Sequence, residues 1–95
     1  MMQLDIEYIE GYRRVSLLNV SRWLEIEYNN LLDFIDDECI KYLQDFGLPY
    51  RGGSMCYLSR VHVEIVIISL FSTEEARTRL MVLDTQFAAT IKEMS

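Results

Sequence analysis

The last quarter of the chain places the tightest limit on the fold. Ser72 and Glu75 stand three residues apart at the head of a stretch in which Ala76, Leu80, Leu83, Phe87, Ile91 and Met94 recur every three or four residues. A hydroxyl and a carboxylate at that spacing form a capping box, and the recurrence is that of an amphipathic helix. A helix over 73–93 would run about 30 Å at 1.5 Å per residue, longer than so small a core covers. Met81, Val82 and Ala88 widen its apolar surface further. Part of it is therefore expected to pack on another subunit, in a homodimer or larger oligomer, through Leu80, Met81, Leu83, Phe87 and Ile91.

The remaining elements are shorter. Leu4, Ile6 and Tyr8 alternate with Asp5 and Glu7, the pattern of a half-buried strand, and Gly11 supplies a turn into a second short strand at 13–15. Ser16 can cap a helix ending near Leu24, with Leu17, Val20 and Leu24 at helical spacing. Asn29 or Asn30 can cap a second helix bearing Leu31, Phe34 and Ile35, and its pattern runs on to Gly47 and Pro49. A break at Asp36 and Asp37 is favoured, because Asp37 is itself a good cap. Residues 50–57 read as a small hairpin turned by Gly52 and Gly53, with Met55 and Tyr57 alternating against Ser54 and Cys56. The β-branched run 60–71 fits either a buried strand or, capped at Ser59, a buried helix.

Ninety-five residues, half of them apolar and a quarter charged, make one globular domain over 1–95. Gln3, Asp5 and Glu7 interrupt any secretory signal, and the apolar run 65–71 is too short to span a membrane. Cys39 and Cys56 lack metal-ligand spacing and read as reduced core thiols, which points to the cytoplasm.

The net charge of −6 is confined to one place. Residues 25–45 hold seven acids (Glu25, Glu27, Asp33, Asp36, Asp37, Glu38, Asp45) against Lys41, while the rest of the chain has eight acids and eight bases. Such a segment repels a phosphate backbone and suits a basic protein surface.

Signs of enzymatic chemistry are lacking. His62, the one histidine, lies in an apolar run with no nucleophile and orienting group beside it, so a structural or surface role is expected. Asp36, Asp37 and Glu38 are consecutive and would point to different faces of a helix, which suits a solvated face better than a cation site. Gly52 and Gly53 lack the lysine and hydroxyl of a phosphate loop. No catalytic residue, metal or cofactor is expected.

In order, these elements trace a winged-helix outline. The stretch RRVSLLNVSRWLEIEYNNLLDFID, residues 13–36, resembles the start of the Rha-type phage regulatory proteins, with Asn30, Leu31, Leu32 and Ile35 in the matching places. The stretch MCYLSRVHVEIVIISLFSTEEARTRLMVLDTQFAATI, residues 55–91, resembles that family's second half, a Tyr-Leu-Ser step followed by a buried helix and a long helix. Together they cover about two thirds of the chain. The resemblance implies a helix rather than a strand over 61–71.

The expected fold is thus α+β, mostly helical: a winged-helix-like core over 3–71 with an N-terminal strand, a glycine-tipped hairpin and a long C-terminal helix. The departures from the family bear on function. Its turn between helices carries a glycine and basic residues, with a histidine near the second helix's start, where this chain has Glu25, Ile26, Glu27 and Tyr28. An arginine usual inside that helix is replaced by Asp33.

The expectation is a phage or prophage antirepressor-type protein whose acidic surface binds a repressor. Glu25, Glu27, Tyr28, Asp33, Phe34, Asp36 and Asp37 would carry recognition. A winged-helix DNA-binding regulator using Arg13, Arg14, Arg22 and Arg51 is the alternative. An inhibitor of a bacterial defence complex that mimics nucleic acid shares the charge argument with the first reading.

Overall fold

Two strands open the chain because a left-handed pair of residues folds them onto each other. In the computed structural model, which describes residues 3–36, 50–52 and 55–94 and the side chains of 3–36 and 55–88, β1 (Ile6–Ile9) pairs antiparallel with β2 (Tyr12–Ser16). Between them Glu10 and Gly11 have φ of 56° and 81°, the mirror-image turn whose twist matches a hairpin. Leu4 is buried and Ile6 half-buried, but Tyr8 is exposed, so the buried side of this edge strand is shorter than its alternation predicts.

Ser16 closes β2 and starts the first helix in one step. Its hydroxyl accepts from the Asn19 amide at 3.1 Å, and α1 (Leu17–Leu24) buries Leu17, Val20, Trp23 and Leu24. The second helix, α2 (Tyr28–Phe34), continues through one wider turn at Ile35 and Asp36. The expected break at Asp37 falls outside the described residues.

The hairpin β3 (Tyr50–Gly52) and β4 (Met55–Leu58) follows, and β4 returns to pair with β2, Val15 opposite Leu58 and Ser16 opposite Tyr57. The sheet order is β1-β2-β4-β3, antiparallel throughout. A strand leading into two helices and then a hairpin whose second strand comes back beside the first is a winged-helix-like arrangement, here with β1 added at one edge. Gly52, expected in the turn, pairs with Met55 as the last residue of β3, and Gly53 lies outside the described residues. Cys56 and Leu58 point into the core and Met55 and Tyr57 lie half-buried.

The β-branched run is a helix, α3 (Arg60–Leu70), followed by α4 (Thr73–Met94). Val63, Val66 and Ile67 are buried, which fits a helix held between the sheet and α4 and outweighs the strand preference of its residues. His62 completes its start: the ring is 2% exposed, and Nδ1 accepts from the Ser59 amide at 3.2 Å, as the glutamate of a capping box does. At the head of α4 the Glu75 amide donates to the Ser72 hydroxyl at 3.4 Å.

Ala76, Leu83 and Phe87 of α4 enter the core, with Leu80 and Val82 at its rim. Leu83 and Phe87, expected at a subunit interface, are 0% and 4% exposed and belong to the chain's own core. Leu80 is half-buried, Met81 is exposed, and the side chain of Ile91 lies outside the described ones. The fold is α+β and mostly helical. Among the described residues no helix is long and apolar enough to cross a membrane.

Candidate functional site

The turn between α1 and α2 is set by hydrogen bonds that leave carboxylates pointing outward. The Ile26 amide donates to the Ser21 carbonyl at 2.9 Å and the Glu25 amide to the Arg22 carbonyl at 3.3 Å, the paired bonds of a Schellman motif. That motif needs a left-handed residue, and Glu25 supplies it at φ 57°, ψ 42°. Glycine is usual there, since a side chain costs roughly 1–2 kcal/mol in this conformation. Glu25→Gly is expected to stabilise the fold by about 0.5–1 kcal/mol after glycine's own entropy cost is subtracted. A higher urea midpoint, read by the fluorescence of Trp23, checks this.

Glu27, not an asparagine, caps α2. Its carboxylate accepts from the amides of Asn29 at 3.2 Å and Asn30 at 3.1 Å. The left-handed turn is compact enough that the helix already begins at Tyr28, which makes both asparagines first-turn residues whose amides need a partner. Their side chains are exposed. Leu31 and Ile35 bury one side of the helix, and Asn29, Asp33 and Asp36, at helical spacing, line the opposite one.

Glu25, Glu27, Asp33 and Asp36 are all exposed, and no lysine or arginine occurs from 25 to 36. Tyr28 and Phe34 flank this stripe half-buried, packed on the core by part of each ring. Asp37 lies outside the described residues. The site so formed can recognise cationic groups with its carboxylates and apolar ones with the ring edges, and among residues 25–36 it carries no cation to offset charge repulsion of a phosphate. The asparagines were legible only once the helix start was fixed, since their exposure depends on which residue is the cap.

The arginines of the alternative reading are dispersed. Arg13 is half-buried and donates from Nη1 to the Phe87 carbonyl at 3.2 Å. Arg14 donates from Nε to the Ile9 carbonyl at 3.2 Å, and its guanidinium lies 5.4 Å from the Tyr12 ring centre. Arg22 is exposed at the end of α1, and the Arg51 side chain lies outside the described ones. Among the described residues no group of three or more His, Cys, Asp or Glu could hold a metal ion. No family model, curated protein or solved structure matches the chain.

Proposed function

We propose that this chain is an antirepressor-type regulatory protein, of the kind the Rha-type resemblance implies, that acts in the cytoplasm of a bacterial host by binding a repressor. It would do no chemistry of its own. The observation that carries the reading is the outward stripe of α2 and its opening turn: four exposed carboxylates and no cation on the helix a winged-helix protein would lay in a DNA groove. Such a surface is repelled by phosphates and complements the basic DNA-binding face of a repressor, where it would also speed encounter.

The DNA-binding alternative has less support, because Arg13 and Arg14 are engaged within the fold and only Arg22 among the described three is exposed. Reversing two charges together, Asp33→Lys with Asp36→Lys, tests the proposal. The buried Leu31 and Ile35 should keep the helix folded, while affinity for the repressor partner falls at least about tenfold, the equivalent of 1.4 kcal/mol. Equal affinity of the reversed and native proteins would exclude this surface as the binding site.

A further inference from the structure

Of the six large apolar side chains exposed among the described residues, three lie on the α3–α4 pair: Ile68 at 58%, Leu70 at 42% and Met81 at 67%. Ile68 lines a groove of about 290 Å³ together with Phe71, Thr73, Ala76, Arg77 and Leu80. Met81 stands one turn past Arg77 on the exposed side of α4, and Asp84 follows one turn later. Arg77 makes no ion pair among the described residues, whereas Asp84 pairs with Arg60 yet keeps 56% of its side chain exposed. One surface thus presents an apolar projection, an apolar groove, a positive charge and a negative charge.

We infer that this surface is the interface with a second copy of the chain, α4 packing antiparallel on the partner's α4 about a two-fold axis between Leu80 and Met81. The axis follows from the sequence of the stripe. Arg77 and Asp84 lie equally far on either side of it, so Arg77 faces the partner's Asp84 and the reverse pair forms by symmetry. Met81 meets the partner's Leu80 at the groove wall. Glu74 and Glu75 fall level with uncharged positions of the partner's helix, 87 and 86, so within α4 no like charges meet in register. This is the face of α4 away from Leu83 and Phe87, and it is independent of the acidic surface of α2.

The apolar area is modest, so association is weaker than that of a standard interface burying ~1,600 Å² in total. Sedimentation velocity from about 1 to about 200 µM, a range suited to such weak interfaces, tests it. The native chain is expected to move from the 11.2 kDa of the monomer towards twice that mass. Met81→Glu and Arg77→Asp should each stay monomeric throughout, with unchanged circular dichroism because both residues are exposed. Arg77→Asp combined with Asp84→Arg and with Arg60→Asp, which preserves a pair between positions 60 and 84 within the chain, should associate again. A native chain that stays monomeric, Met81→Glu associating like the native chain, or no rescue by the charge exchange would overturn the assignment.

Discussion

Replacing Leu83 with alanine is expected to destabilise the protein by about 2–5 kcal/mol, the range for truncating a fully buried leucine. The side chain is 0% exposed and belongs to the same core as Val63, Val66 and Ile67 of α3. A domain of this size has only about 5–15 kcal/mol in total, so the variant loses a large share of its stability. The effect has two parts: the transfer of the removed methyl groups, and the cavity a rigid helix pair cannot close. Met81→Ala, two residues away and 67% exposed, should change the monomer's stability by less than about 0.5 kcal/mol. Urea titration followed by Trp23, the chain's one tryptophan and 2% exposed, measures both. Similar midpoints for the two variants would mean that α4 turns a different face to the core.

Leu31→Ala is the second substitution with a large expected effect, again about 2–5 kcal/mol. A seven-residue helix has no stability of its own, because nucleation costs more than so few hydrogen bonds return. What holds α2 is Leu31 at 0% and Ile35 at 1% exposure, together with the two hydrogen bonds that the Asn29 and Asn30 amides donate to the Glu27 carboxylate. Losing Leu31 leaves a void under the first of these anchors and loosens the helix that presents Asp33 and Asp36. Stability and recognition should therefore fail together in Leu31→Ala, whereas the reversed-charge variant should lose recognition alone. Paired urea and binding titrations distinguish the two, and a Leu31→Ala protein of native stability would contradict the anchoring role.

Features carried by neighbouring residues were legible in the sequence. Ser16 and the spacing of Leu17, Val20 and Leu24 located α1, and Ser72 with Glu75 located the start of α4, because capping and amphipathicity act within one or two turns. The run 60–71 was ambiguous, since β-branched residues favour a strand and only the packing against α4 and the sheet selects a helix. The acidic character of the α2 surface was legible from charge alone. Its cap was not, because Glu25 adopts a conformation that propensity disfavours and thereby moves the helix start onto Tyr28. Long-range bonds were equally out of reach. The tie from Arg13 to the Phe87 carbonyl spans 74 residues, and nothing local distinguishes Arg13 from an exposed arginine. Nor could periodicity separate Leu83 from Leu80 on α4, because the apolar surface of that helix is wider than the strip the core covers.

The proposed role of the outward carboxylates of α2 is to bind a protein and not DNA. It is tested most directly by parallel pull-downs of the tagged native chain and of the Asp33→Lys, Asp36→Lys variant from the native lysate, each with nuclease treatment, followed by mass spectrometry. One DNA-binding protein should be retained by the native chain after nuclease and be absent with the variant. Retention of that protein by both, or recovery that disappears with the nuclease, would contradict it.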